Sequence, residues 1–90
     1  MKNKTSEMTV NEVEVTITWE DRSGGRPGQR SVGLAVHTVS ETDLDEGSAG
    51  GPCDGYTFTL GGKKYELGQH DYETDNGQVT CCAEVYEVAE

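Results

Sequence analysis

Within a strand predicted over residues 10–19, the side chains from residue 12 onward alternate strictly between polar and apolar, and this pattern limits the fold more than any other feature of the sequence. Successive side chains of a β-strand point to opposite faces, so such alternation predicts a strand with one buried face. Its β-branched content also disfavours a helix. The two rows are Val13, Val15, Ile17 and Trp19 on one face, and Glu12, Glu14, Thr16 and Thr18 on the other.

The last third of the chain contains two dipeptides that predict tight hairpins. Gly61-Gly62 and Asn76-Gly77 belong to the type that supplies positive φ angles in two-residue turns. They predict a three-stranded antiparallel meander whose middle strand changes face, with a bulge or bend at Gly68. Residues 78–90 also match a helical stripe, but the Asn-Gly turn before them favours a strand. The predicted cross-strand partners are Leu60 with Lys63, Phe58 with Tyr65, Asp75 with Gln78, Tyr72 with Cys81, and His70 with Ala83.

Residues 31–39 form a second alternating segment. We expect it to pair antiparallel with the first strand across the glycine-rich connection 20–29. Gly33 and Ala35 leave one of its faces shallow, so we expect something else to pack closely there. Three arginines lie in or beside the connection: Arg22, Arg26 and Arg30.

The remaining segments contribute little regular structure. Ser40 is predicted to cap a helix of about one to two turns, with Asp43 at its third position and Gly47 at its end. The rest of 40–55 is expected to be an acidic, glycine-rich loop, and residues 1–9 a flexible N-terminus. We predict an all-β or β-rich α+β fold, in one small acidic domain over residues 1–90. It contains a small antiparallel sheet, sandwich or open barrel of about five strands, the C-terminal meander, and at most one short helix.

The charge of the chain is strongly acidic and uneven. Seventeen acidic and 7 basic residues give a formal charge of -10. Residues 1–30 carry 5 of each sign, so 12 acidic and 2 basic residues in 31–90 supply the whole net charge. This charge disfavours direct binding of nucleic acid or anionic membranes, and it favours a basic protein surface as partner. No run reaches the roughly 18 to 20 apolar residues of a membrane span, and residues 1–10 lack the apolar region of a signal peptide, so we expect a cytoplasmic protein.

The cysteines and histidines raise the question of a metal site. Cys53, Cys81 and Cys82 are odd in number and include a vicinal pair, which predicts reduced thiols. Together with His37 and His70 they are the residue types that bind zinc. Structural zinc sites, however, take ligands from units such as CxxC, and adjacent residues of a strand point to opposite faces. We therefore expect no metal and no cofactor.

Two further chemistries match the sequence only in part. The alternating carboxylates of residues 71–75 superficially resemble the start of an EF-hand loop. Asn76, however, stands where that loop requires glycine, and Cys82 stands where it requires a bidentate glutamate. Nucleophilic catalysis would need Cys53 or a serine beside a histidine. Cys53 stands on a Gly-Pro-Cys-Asp-Gly turn, but neither histidine belongs to a catalytic signature. We expect the protein not to be an enzyme.

The carboxylates suggest a function in binding. Held on a rigid sheet, they can take the place of phosphates against Arg and Lys side chains in a cationic groove. In size, charge and lack of a catalytic motif the chain is similar to the small acidic inhibitors that phages make against host defence nucleases, including anti-CRISPR and anti-restriction proteins. That similarity implies a nucleic-acid mimic that blocks a nucleic-acid-handling complex in the host cytoplasm. The predicted contact residues are Glu41, Asp43, Asp45 and Glu46 in the loop, Asp71, Glu73 and Asp75 in the hairpin, and Glu12 and Glu14 in the first strand.

The alternative function is that of a small structural or accessory subunit. With few large apolar residues, the chain has a thin core, and it can gain stability by packing one sheet face on a partner or on itself as a homodimer. The predicted surface for this is the shallow face of Gly33 and Ala35 together with Tyr56, Tyr86 and Val88. Salt separates the two functions, because a complex held by carboxylates weakens with ionic strength and an apolar one does not.

Overall fold

A computed structural model of the protein describes residues 4–22 and 27–88. These residues form one antiparallel sheet of seven strands, in the order β1-β2-β3-β7-β5-β4, with β6 paired to β7. The all-β class is confirmed, with seven strands where about five were predicted. The elements are β1 (Lys4–Val10), β2 (Val13–Arg22), β3 (Ser31–Ser40), α1 (Glu41–Glu46), β4 (Thr57–Leu60), β5 (Lys63–Leu67), β6 (Asp71–Asp75) and β7 (Gln78–Glu87).

The N-terminal segment is a strand from Lys4 onward, so the expectation of a flexible segment over 1–9 is wrong for the described part. Met8 of this strand packs against the core. The strand is also tied to β2, because the Trp19 indole N–H donates a hydrogen bond to Ser6 Oγ at 2.7 Å. A two-residue turn at Asn11 and Glu12 joins the strands, with φ angles of 51° and 70°. The predicted first strand is therefore divided, because Val10 belongs to β1. The predicted pairing of β2 with β3 is confirmed, and Arg26 lies outside the described residues.

The sheet curls so that strands at opposite ends of it meet across one face. Trp19 of β2 contacts Tyr65 of β5 with ring centroids 5.0 Å apart, although the two strands are not neighbours in the sheet. Phe58 of β4 lies 5.6 Å from the same tyrosine ring. We call this concave side the inner face and the opposite side the outer face. The fully buried core residues of the inner face include Val15, Ile17, Ala35, Leu67 and Val85.

The two faces of β3 are arranged opposite to what side-chain size suggests. Gly33 and Ala35 belong to the buried inner face, whereas Leu34 and Val36 are only half-buried. A Cβ on Gly33 would lie 2.7 Å from the Thr18 carbonyl oxygen, so the backbones of β2 and β3 approach closely there. The shallow face is thus filled from within the chain, because the rings of β2, β4 and β5 occupy the concave side. The accessory surface predicted at Gly33 and Ala35 is wrong. Tyr86 is also buried, and Tyr56 and Val88 are half-buried.

The C-terminal meander is confirmed, including its register. Leu60 pairs with Lys63, Phe58 with Tyr65, Asp75 with Gln78 and Tyr72 with Cys81. The middle strand is interrupted after Leu67, and its two parts, β5 and β6, pair with β7 in registers that differ by one residue. Gly68 stands at this interruption, because a Cβ there would lie 2.9 Å from the Tyr86 ring. His70 does not pair with Ala83 as predicted; its backbone N–H donates instead to Asp54. Residues 78–87 are a strand and not a helix.

Helix α1 begins and ends where the sequence predicts. The Asp43 N–H donates to the Ser40 hydroxyl, and Gly47 ends the helix in the left-handed conformation at φ 74°. Residues 48–56, which we call the strap, lead from the helix to β4 without regular structure. They run close to the first hairpin, since a Cβ on Gly50 would lie 2.1 Å from the Asn11 carbonyl oxygen. The strap therefore packs against the ends of β2 and β3 and holds α1 at that end of the sheet.

Candidate functional site

All nine predicted contact residues are exposed. The helix and hairpin carboxylates lie side by side, since the Glu41 backbone N–H, at the start of α1, donates to the carbonyl oxygen of Gly77 at 2.9 Å. Ser40, just before the helix, pairs with Gln78, and Gln78 pairs with Asp75 on its other side. Two groups that are about thirty residues apart in sequence are therefore neighbours at one end of the sheet.

The third predicted group reaches the same end of the molecule through the first hairpin. Glu12 and Asp43 both line a surface cavity of about 420 Å³. Glu12 occupies the β1–β2 turn, and Glu14 follows it on the outer face of β2. The structure thus brings all three groups together, and we call the nine residues the acidic arc. It comprises Glu12, Glu14, Glu41, Asp43, Asp45, Glu46, Asp71, Glu73 and Asp75.

The outer face extends from the first hairpin to β6, and both of these carry carboxylates of the acidic arc. Five strands align in register to form one row of this face, which contains Glu7, Thr16, Val36, Cys82 and Asp71. Four interstrand spacings make this row about 19 Å long. Burial raises the pKa of the Cys82 thiol, and the charges of Asp71 and Glu73 raise it further. The register places both carboxylates on the same side of the sheet as Cys82, since Asp71 pairs with Cys82 and Glu73 pairs with Thr80.

A groove of about 520 Å³ opens on the outer face between the first hairpin and β3. Sequence reasoning missed one of its carboxylates, Glu7, because residues 1–9 were expected to be flexible. The alternation of Met8 and Val10 with polar residues was the signal that places Glu7 on a strand. The residues that line the groove are Glu7, Glu12, Val13, Glu14, Thr16, Val36, His37 and Thr38.

Three of the described cations, Arg22, Arg30 and Lys63, are paired with carboxylates outside the acidic arc. Arg22 forms hydrogen-bonded ion pairs with Glu84 and Glu20. Both hydrogen bonds raise the pKa of Arg22 above its ordinary value, and the bond with Glu84 has the larger effect. Within residues 4–22 and 27–88, no member of the acidic arc forms an ion pair, so its charge is uncompensated by those cations. Among the described residues, Arg30 also pairs with Asp21, and Lys63 pairs with Glu87.

A cluster that includes both histidines lies against the inner face. The Asp54 carboxylate accepts hydrogen bonds from the His70 backbone N–H at 2.9 Å and from its Nδ1 at 2.7 Å, and this lowers the pKa of Asp54. Burial, and secondly the charge of His70, lowers the pKa of His37. Cys81 is buried beside them, with its thiol pKa raised by burial and by Cys82.

We compared the contacts of this cluster, as far as the structure describes them, with those of a nucleophile or a metal site. Among the described residues, neither histidine hydrogen-bonds to a cysteine or serine, and Cys53 is exposed on the strap. In the same part of the chain, no three His, Cys, Asp or Glu side chains are grouped in a way that can hold a metal ion. The Asp54–His70 contact joins the strap to the β5–β6 connection.

Comparison with protein-family models, with curated proteins and with solved structures gave no match. The described residues include no helix that is long and apolar enough to cross a membrane.

Proposed function

We propose that this chain is a non-enzymatic acidic binding protein that occupies a cationic groove of a nucleic-acid-handling protein or complex in the cytoplasm. The observation that supports this most directly is the acidic arc. It gathers nine exposed carboxylates from three separate segments, and none of them is ion-paired within the described part of the chain.

The arrangement suits a surface that is lined with Arg and Lys. Asp71, Glu73 and Asp75 share one face of β6, with successive side chains about 6.8 Å apart. Carboxylates held by a strand and a helix pay little conformational entropy on binding, and each charge-assisted hydrogen bond to a guanidinium is stronger than a neutral one. Like phosphates, these carboxylates steer a cationic partner towards the arc in a way that depends on ionic strength.

The likeness to small phage inhibitors in size and charge makes defence nucleases the first class of partner to test. The tagged protein is used to capture proteins from host lysate in about 0.1 M salt, and the captured material is challenged with about 1 M salt or with duplex DNA. We expect a nucleic-acid enzyme to be captured, and to be released by both treatments.

Two variants with the same change in charge connect this capture to the acidic arc. Asp71→Asn/Glu73→Gln removes two unpaired carboxylates, whereas Asp21→Asn/Glu87→Gln removes two carboxylates that pair with Arg30 and Lys63. We expect the first variant to bind the purified partner about tenfold more weakly and the second to bind almost normally. Equal affinity of both variants and the unchanged protein, with capture that resists salt and DNA, would contradict the proposal.

A further inference from the structure

The outer face has an apolar centre that the core does not use. Leu34 and Val36 of β3 and Cys82 of β7 are half-buried there, and Val36 and Cys82 are directly paired. Among the described residues, neither Leu34 nor Val36 is packed against the two hydrophobic core clusters. Short threonine side chains surround this centre and leave it accessible from the outer side: Thr16, Thr18, Thr38 and Thr80.

Carboxylates stand on both sides of this apolar centre. Glu7 and Glu14 flank it from β1 and β2, and Asp71 and Glu73 flank it from β6. None of the four forms an ion pair with a described residue. The carboxylate of Glu84, by contrast, is neutralised by Arg22, so the uncompensated charge lies towards the end of the face that is nearest to α1.

We infer that the outer face seats a basic amphipathic helix of the partner protein, with the apolar stripe of that helix on Leu34 and Val36 and its Lys and Arg side chains on the flanking carboxylates. This inference rests on the proposed function and names the part of the partner that is bound. A helix with its side chains is about 10 to 12 Å wide, so it fits within the row of about 19 Å from Glu7 to Asp71 and leaves room for a cationic side chain on each side.

The apolar centre distinguishes this partner from a purely cationic groove. A surface that contacts only carboxylates gains nothing from Leu34, Val36 and Cys82, whereas a helix with an apolar stripe removes them from water. The groove of about 520 Å³ beside Val36 offers room for a large apolar side chain between Glu7 and Glu14. The same face therefore provides both an apolar and a charged part of the contact.

The test uses two synthetic peptides of about 14 residues, roughly four helical turns, with equal numbers of lysines at the same positions. One carries leucines along the opposite stripe, and the other carries serines. We expect the leucine peptide to bind about tenfold more tightly, because burial of one or two Leu or Val side chains changes an equilibrium constant by that order. The Leu34→Thr/Val36→Thr variant should lose this difference, and Tyr72→Thr, at an exposed residue that faces the other side of β6, should retain it.

The unchanged protein supplies a second measurement that does not depend on how the variants fold. Cys82 lies in the centre of the outer face, while Cys53 is exposed on the strap and Cys81 is buried. Alkylation with N-ethylmaleimide, followed by mass spectrometry, should show that the leucine peptide slows modification of Cys82 and leaves that of Cys53 unchanged.

Each outcome bears on the inference separately from the proposed function. If Leu34→Thr/Val36→Thr binds the leucine peptide as tightly as the unchanged protein does, while Asp71→Asn/Glu73→Gln weakens binding to the captured partner, the inference is wrong and the proposed function stands. If the leucine peptide gives no protection at Cys82, the inference is also wrong. If light scattering shows a dimer that Leu34→Thr/Val36→Thr dissociates, the occupant is a second copy of this chain, and the inference is overturned.

Discussion

The rings of His37 and His70 lie edge to face against the inner face of the sheet, with their centroids 5.5 Å apart. They are the two histidines of the chain, and both are buried. Gly51 packs directly on the His37 ring, and Asp54 binds the His70 ring, so both rings hold the strap in place. His37 Nδ1 and His70 Nε2 have no hydrogen-bond partner among the described residues. A proton added to His37 therefore places a charge where burial opposes it, and no described carboxylate forms an ion pair with this ring.

Acid should weaken the fold through His37. In the unfolded chain this residue binds a proton with a pKa of about 6.5, whereas burial and His70 lower its pKa in the folded protein. The stability that neutral His37 provides is therefore complete above about pH 6.5, and it is lost as the pH falls from that value through the lowered pKa. Over this range the free energy of unfolding should fall by up to about 1.4 kcal/mol per pH unit. Urea unfolding at several pH values between about 7.5 and 5 measures this slope.

The control for this prediction is His37→Gln, which keeps a polar side chain but does not titrate. Protonation of the carboxylates also changes the repulsion within this acidic chain, and that change is common to the variant and the unchanged protein. The difference between their slopes therefore isolates His37. Identical slopes would mean that His37 has the same pKa in the folded and unfolded chain.

Asp54 should stabilise the strap. Asp54→Ala removes the acceptor of two hydrogen bonds and leaves the buried His70 Nδ1 without its partner, so we expect the free energy of unfolding to fall by about 1 to 3 kcal/mol. Asp45→Ala, at an exposed residue of α1, should change it by less than about 0.5 kcal/mol. Because the pKa of Asp54 is lowered, the stability that it provides is present above about pH 3.9 and is lost as the pH falls through its lowered value. Urea unfolding measures the first effect, and faster hydrogen exchange at the His70 amide would accompany it; equal stability of the two alanine variants would contradict the prediction.

An added methyl group on the inner face should lower the free energy of unfolding by more than the removal of a large side chain from the outer face. Gly33→Ala places a Cβ 2.7 Å from the Thr18 carbonyl oxygen, which forces the backbones of β2 and β3 apart and should cost at least about 1 to 3 kcal/mol. Leu34→Ala removes a half-buried side chain from the outer face and should cost less. Thermal or urea unfolding of the two variants gives the order, and the reverse order would place Leu34 in the core.

These neighbouring residues of β3 show why its faces could not be assigned from the sequence. Side-chain size suggests that Leu34 belongs inside and Gly33 outside. The inner side, however, is already occupied by rings such as Trp19 and Tyr65, which come from strands far apart in the chain and meet only because the sheet curls. Local patterns therefore predict the strand and its alternation, but they do not predict which face of β3 is buried in the core.

Turns whose residues favour positive φ angles were predictable, because their chemistry is local. Gly61-Gly62 and Asn76-Gly77 gave both the meander and its register, and Ser40 and Gly47 gave the ends of α1. The convergence of α1, β6 and the first hairpin was not predictable, since it depends on the strap and on pairing between distant strands. The carboxylates of the acidic arc were thus named individually from the sequence, and their common location came from the fold.

The first hairpin escaped prediction because its turn contains an unfavourable residue. Asn11 and Glu12 have φ angles of 51° and 70°, almost the same as Asn76 and Gly77 at 50° and 79°. A glutamate in this left-handed conformation is strained by its Cβ, whereas glycine is not. Glu12 also belongs to the acidic arc, so the strain is located at the proposed binding surface, where strained residues are often found.

Three variants separate the strain of Glu12 from its charge. Glu12→Gly removes both, so we expect it to raise the free energy of unfolding by about 0.5 to 1 kcal/mol while weakening the affinity for the partner. Glu12→Gln removes the charge alone, so it should weaken binding in the same way and leave the stability nearly unchanged. Gly77→Glu introduces the strain in the other hairpin and should lower the stability by about 1 to 2 kcal/mol. Urea unfolding and affinity measurements on the three variants test this. A Glu12→Gln protein that is less stable than the unchanged one, and that binds the partner as tightly, would show that the carboxylate of Glu12 supports the fold rather than the partner contact.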